Sequence, residues 1–134
     1  MSRTAFTIFG KPYAKKRPRF SRKSGRAFNP SENTVAENSL GAVAATHFPQ
    51  PLTGPVRLEI IAVFGIPASW AKAKKAAMAY RHHTQKPDCD NIGKWVCDGL
   101  NRIAWADDCQ VAEITVRKSW GPNDQTTIFV EAAE

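Results

Sequence analysis

Hydrophobic and polar positions divide the chain into a short series of elements. Residues 4–10 (TAFTIFG) form a β-prone run that predicts a first strand. Val56, Leu58, Ile60, Ala62 and Phe64 alternate with residues that include Arg57 and Glu59, the period of a strand with one face buried. Between these runs, Asn29-Pro30-Ser31-Glu32 reads as a helix start. Asn29 can cap, Pro30 suits the first turn, and Glu32 follows where a capping acid belongs. That helix is expected to run to about Phe48, with Val35, Leu40, Val43, Ala44 and His47 on its apolar side. A connector rich in Pro and Gly spans residues 49–55.

Further along, Ser69 can cap a short Ala- and Lys-rich helix over residues 70–80. Lys86-Pro87 closes that region, because the residue before a proline is pushed towards an extended conformation. Asp90-Asn91 predicts the cap of a helix over about residues 91–102, with Ile92, Trp95, Val96 and Leu100 as its buried stripe. A long strand over 109–120, a turn at Gly121-Pro122-Asn123-Asp124 and a last strand over 126–130 complete the order β, loop, α, β, α, α, β, β. This order predicts an α/β (α+β) fold, with a small mixed, mostly antiparallel sheet packed against helices. The 134 residues fit one domain spanning 1–134, with no internal repeat and no linker to divide it.

Composition narrows the class. A hydrophobic fraction of 43% with four Trp and seven Phe excludes a disordered chain. The length excludes a two-domain dehydrogenase, an eightfold βα barrel or a kinase. No apolar run approaches the ~20 residues of a membrane helix, and the start lacks a signal-peptide core, so a cytoplasmic protein with no membrane partner is expected. Cys89, Cys97 and Cys109 form no CxxC pair, which indicates neither a disulfide framework nor a zinc knuckle.

The net charge of +7 is unevenly placed. Residues 1–31 hold nine basic residues and no acid, so they carry +9, while residues 32–134 carry −2. The loop over about residues 11–28 concentrates Lys15, Lys16, Arg17, Arg19, Arg22, Lys23 and Arg26. Lys23-Ser24-Gly25 marks a hairpin tip or mobile loop within it. A second acid-free stretch contains Lys72, Lys74, Lys75, Arg81 and Lys86, with His82 and His83 read as members of the same basic patch. Then five carboxylates arrive within 21 residues: Asp88, Asp90, Asp98, Asp107 and Asp108. Basic flanks suit a polyanion, because each phosphate contact releases condensed counterions. Clustered carboxylates repel a polyanion unless a cation sits between them, so the combination suits a metal-dependent enzyme acting on nucleic acid.

Candidate chemistry lies in Lys86-Pro-Asp-Cys-Asp-Asn-Ile-Gly-Lys94 and Trp105-Ala-Asp-Asp-Cys-Gln-Val111. If Pro87 keeps the approach extended, Asp88 and Asp90 project to the same side, and Lys94 lies one helical turn beyond Asp90. If the strand after Asp108 packs beside the helix, three carboxylates converge. Carboxylates gathered at one point raise each other's pKa unless a divalent cation holds them ionised. All-oxygen ligands suit Mg²⁺ or Mn²⁺, and such a site supports in-line phosphodiester hydrolysis. A DxD pair alone equally fits a loop turn with a helix cap, which leaves a non-catalytic DNA-binding module as an alternative. It also fits a nucleotidyltransferase, although no Gly-Ser dipeptide is available to hold a triphosphate. A structural RNA-binding protein is a further reading. Phe20 and Phe28 could anchor the basic loop to the core or wedge between bases. Trp70 and Trp95 are expected in the core, and Cys89 and Cys109 are expected as small packing residues.

Taken together, Lys86-Pro-Asp-Cys-Asp-Asn91, Lys94, Asp98-Gly-Leu100 and Trp105-Ala-Asp-Asp-Cys-Gln-Val111 resemble the RusA family of Holliday junction resolvases, small and often prophage-encoded endonucleases. Gly10-Lys-Pro12, Lys16-Arg-Pro-Arg19 and Pro30 fit the same pattern, so the resemblance covers nearly the whole chain. It implies Asp88, Asp90 and Asp108 as Mg²⁺ ligands, Lys94 as a catalytic lysine, and Asp107 as a neighbour of the ligands. It also implies a homodimer that cuts two strands of a four-way junction symmetrically. The lysine-rich segment over residues 70–83 departs from the family pattern, and its DNA contact is expected from charge alone. On these grounds Lys15, Lys16, Arg17, Arg19, Arg22, Lys23, Arg26, Lys72, Lys74, Lys75 and Lys86 are candidate DNA contacts, with Phe20 as a candidate junction wedge.

Overall fold

Strand β4 (Val56–Gly65) alternates buried and less buried residues along its length, and the main sheet is assembled around it. The computed structural model describes residues 3–133. Its elements are β1 (Thr4–Phe9), β2 (Arg19–Ser21), β3 (Arg26–Phe28), α1 (Ser31–Ala45), β4, α2 (Lys72–Met78), α3 (Cys89–Leu100), β5 (Val111–Gly121) and β6 (Gln125–Ala132). The four-stranded sheet has the order β1-β6-β4-β5, while β2 and β3 pair separately as a hairpin. β6 runs antiparallel to both β1 and β4, and β5 runs parallel to β4. A parallel pair needs a long crossover, and α2 and α3 lie within it. The predicted α+β fold with a mixed, mostly antiparallel sheet is therefore the fold observed.

The core lies between one face of this sheet and helices α1 and α3. Leu58, Ile60, Ile128 and Val130 of the sheet, Leu40 and Ala44 of α1, and Ile92, Trp95, Val96 and Leu100 of α3 are buried together. Trp95 is in the core as expected, and its indole Nε1 donates to the Ala36 carbonyl of α1 at 3.0 Å. The helices meet where Gly99 faces Leu40: a Cβ on Gly99 would stand 2.7 Å from Leu40 Cδ2. No described helix is long and apolar enough to cross a membrane.

Several element boundaries differ from the sequence expectation. The buried residues of α1 are Asn33, Leu40, Gly41 and Ala44, whereas Val35 is 64% exposed and His47 lies in the exposed turn after the helix. The stripe runs through Asn33 because that amide organises the basic loop. Pro30 takes the N-cap position of α1, and Asn29 turns its side chain to Asn33 and Thr34 instead of capping a backbone N–H. α1 ends at Ala45, and Thr46 donates its hydroxyl back to the Val43 carbonyl. α2 is capped by Ala71, not Ser69, and is shorter than predicted. Trp70 falls outside it, packing against Trp120 with ring centroids 4.8 Å apart and covered by the Lys74 ammonium.

Gly99→Ala forces its methyl into Leu40 and is expected to cost about 1–3 kcal/mol of stability. Urea unfolding checks this: the midpoint should fall at an unchanged slope.

Candidate active site

Helix α3 lies close over β5 because Gly93 presents no side chain to it. A Cβ there would stand 3.3 Å from Ile114 Cδ1 and 3.5 Å from Val116 Cγ2. Between the helix and the strand opens a cleft of about 510 Å³. Asp90, Lys94 and Asp98 line it at four-residue spacing along α3, and Asp108 lines it from the turn before β5. Ile114 and Val116 form its apolar wall.

Asp108 opens a short 3₁₀ turn (Asp108–Gln110) where a continuous strand was predicted from residue 109. The turn is closed by a capping box: the Asp107 carboxylate accepts from Cys109 N, and Gln110 Oε1 accepts from Asp107 N at 3.1 Å. The other end of the Gln110 amide donates to the carbonyls of Leu52 and Gly54, which fixes the turn to the connector before β4. Asp107 is thus spent on the turn, and its hydrogen bonds from the Cys109 thiol and backbone hold its carboxyl below the usual carboxylate range.

Asp88 differs from the expectation. α3 starts at Cys89, so Asp88 is its N-cap residue and Asp90 already lies in its first turn. The two aspartates therefore do not share one side of an extended segment, and Asp88 does not line the cleft. Its side chain makes no capping hydrogen bond. The approach to it is held by Lys118, whose Nζ donates to the carbonyls of Gln85 and Pro87, each at 2.6 Å. Among the described residues, no three His, Cys, Asp or Glu side chains converge closely enough to hold a metal ion by themselves.

The distribution of charge partners separates these aspartates from the remaining acids. Glu32 takes Lys16 and Arg19, Glu37 and Asp98 take Lys15, Glu59 takes Arg3 and Arg117, and Glu113 and Glu131 take Arg57. Asp107 and Asp124 accept from backbone N–H groups of Cys109 and Gly65. Among the described residues, Asp88, Asp90 and Asp108 have neither an ion pair nor a hydrogen bond to the side chain, and Lys94 has no carboxylate partner.

Burial, reinforced by the charges of Asp108 and Asp98, pushes the Cys97 thiol up to about 11, so this sulfur stays protonated at neutral pH. Two free carboxylates on an open cleft fit a hard cation such as Mg²⁺, which takes one or two protein carboxylates and completes its shell with substrate oxygens and water.

The basic loop is built on a buried amide that the sequence did not single out. Asn33 Oδ1 accepts from Lys16 N at 2.9 Å and from the Tyr13 hydroxyl, while its Nδ2 donates to the Lys16 carbonyl. Lys15 N donates to the Asn91 carbonyl of α3, and Lys15 Nζ pairs with Asp98 and Glu37. Lys15 is therefore committed to joining the loop to α3, and Lys16 and Arg19 share Glu32. Arg17, Arg22, Lys23 and Arg26 are exposed and have no ion pair among the described residues. Phe20 is 67% exposed and Phe28 47%, so neither anchors the hairpin to the core. Of the second basic stretch, Lys72, Lys74 and Lys86 are exposed and Lys75 is half-buried.

His83 is a correction to the basic patch. It is 5% exposed and stacks on Phe64 at 3.9 Å, with Trp120 tilted against it at 4.4 Å. Burial, then the charges of Lys118 and Lys11, hold its imidazole below the ordinary range, so it is a neutral core residue. Neither Asn33 nor Lys118 carried a sequence signal: each acts on backbone atoms that come near only in the fold.

Comparison with known proteins adds two findings. Residues 10–131 match the model of a family described as Endodeoxyribonuclease RusA, a span that contains the hairpin, the cleft and all three unpaired aspartates. The chain is also similar to an uncharacterised protein, YqaN, of Bacillus subtilis (strain 168), at 31% identity over 132 residues covering 93% of each chain.

The depressed His83 value has a consequence for stability. The unfolded chain takes up its proton first, near the ordinary pKa of about 6.5. Stability is therefore lost as pH falls through that value towards the lower folded one, by up to ~1.4 kcal/mol per pH unit. His83→Gln is expected to flatten this slope, read as urea midpoints between about pH 7 and pH 5.

Proposed function

The chain belongs to the RusA family of endodeoxyribonucleases and so hydrolyses DNA phosphodiester bonds; from that premise we propose that it resolves four-way DNA junctions by paired, symmetric cuts that require a divalent cation. The supporting observation is the set of Asp88, Asp90 and Asp108, left without partners among the described residues while the other described carboxylates are matched. Unmatched carboxylates beside a polyanion are a standing repulsion unless a cation joins them.

Asp90 and Asp108, with Asp88 at the helix start, are the groups that would hold Mg²⁺ or Mn²⁺. When bound, the cation supplies the charge that polarises the scissile phosphate and makes an attacking water nucleophilic. The Lys94 ammonium lines the same cleft and neutralises charge gathering on the phosphate oxygens. Ile114, Val116 and the protonated Cys97 line the cleft too, and an apolar wall strengthens each of these electrostatic contacts. The unpaired hairpin cations Arg17, Arg22, Lys23 and Arg26 grip phosphates, and Phe20 is free to wedge into the branch point. Lys15 ties the hairpin base to α3, so a strand gripped by one is placed relative to the other. Two cuts related by symmetry call for two clefts, and the protein acts as a homodimer of 14.8 kDa subunits.

The test is Asp90→Asn on a synthetic four-way junction in Mg²⁺. The rate of paired nicking should fall by about 100-fold or more, while binding measured in a chelator holds or tightens because a negative charge near phosphate is lost. Normal paired nicking by this variant would sink the proposal. Arg22→Ala with Lys23→Ala should leave cutting at saturating protein intact and flatten the salt dependence of binding by about 0.9 per lost phosphate contact.

A further inference from the structure

Two cavities away from the cleft share two lysines. One, of about 230 Å³, lies among Phe64, Gly65, His83 and Trp120. The other, of about 440 Å³, follows Pro12, Tyr13 and Pro87. Lys11 and Lys86 line both, so the two spaces adjoin at these lysines, and Pro87, the residue before Asp88, lines the larger one. Both lysines are exposed, and neither has a carboxylate partner among the described residues.

We propose that Lys11 and Lys86 form a phosphodiester subsite, which holds the phosphate next to the scissile one on the cut strand. This deepens the junction-cutting reading above and rests on it. Lys86 is two residues from Asp88, at most about 7 Å of extended chain, so a phosphate on Lys86 lies near the start of the helix that carries Asp90.

The backbone on either side of the two lysines is anchored before any DNA arrives. Lys118 clamps the carbonyls on either side of Lys86, those of Gln85 and Pro87. Lys11 follows Gly10, whose N–H donates to the Asp124 carbonyl at 3.1 Å and whose φ of +114° suits only glycine. Asp124 also lines the smaller cavity, but its carboxylate accepts from Gly65 N at 2.7 Å and offsets only one of the two cations. The lysines act as point charges, which suits a phosphate approached from a groove. His83 lines the smaller cavity, and its imidazole is held below the ordinary range by burial first, then by Lys118 and, least, by Lys11.

The experiment measures binding of a synthetic four-way junction in a chelator, so cleavage does not enter. Lys11→Gln combined with Lys86→Gln should lower the salt dependence of binding by about 0.9, the value for the one phosphate contact that the pair makes together. A scan of single methylphosphonates along one strand through the branch point locates the contact. One position should cost the wild-type protein about fivefold in affinity and cost the double variant nothing further. That position should adjoin the phosphate that the wild-type protein cuts in Mg²⁺. In the complex, His83 should titrate at a higher pH than in the free protein when followed by NMR. An unchanged salt slope, no position that behaves this way, a position remote from the cut, or an unmoved His83 each overturns the subsite. If the wild-type protein fails to cut, the junction-cutting reading falls, while the salt slope and His83 still decide whether these lysines hold phosphate.

Discussion

Gly93 lets α3 lie directly over Ile114 and Val116, and the candidate active-site cleft opens beside that contact. The parallel pairing of β4 with β5 puts β5 at the sheet edge, and the crossover that makes it parallel carries α3. From this arrangement Asp90 and Lys94 come from the helix, Asp108 comes from the turn that feeds the strand, and an apolar wall lies between them. A Cβ at residue 93 would press on the Ile114 side chain at 3.3 Å and touch Val116 at 3.5 Å, taking up space at the apolar wall of the cleft. The Gln110 capping box and the Lys118 clamp then fix the two loops that deliver Asp108 and Asp88.

Charge pairing sorts the structure into parts with different work. The ion pairs of Arg57 and Glu59 run across the outer sheet face, and those of Lys15, Lys16 and Arg19 brace the base of the hairpin. Exposed pairs of this kind contribute little stability, typically below ~1 kcal/mol each. Their value here is in what they leave over: the hairpin tip keeps its cations free, and the cleft keeps its carboxylates free. The sequence-level figure of +7 therefore overstates the freely available positive surface near the hairpin base and conceals the concentration at its tip.

Much of this was legible in the sequence, because the strongest signals are local. The alternation in β4, the apolar stripe of α3 and the glycine-bearing hairpin each survive in the structure. Asp90, Lys94 and Asp108 meet in one cleft, as their spacing along a helix and before a strand led one to expect. Asp88 keeps the extended backbone that Pro87 favours, but α3 begins at the next residue, so Asp90 turns into the helix and the two part company. Lys15 was counted among free cations because Asp98, its partner, lies 83 residues away along the chain. His83 was counted as basic because its aromatic neighbours, Phe64 and Trp120, come from strands distant in sequence. Each error concerns a contact that exists only after folding.

The claim at the centre of this account is that the unpaired aspartates exist to bind a divalent cation beside DNA. Electron paramagnetic resonance of Mn²⁺ measures this directly, with the ion titrated into the protein bound to a junction whose cleavable phosphates have been replaced by uncleavable ones. The account predicts tight, saturable Mn²⁺ uptake by the wild-type complex, competed by Mg²⁺ and lost when Asp90 and Asp108 are both replaced by Asn. Equal uptake by that double variant, or no uptake by the wild-type complex, would contradict it.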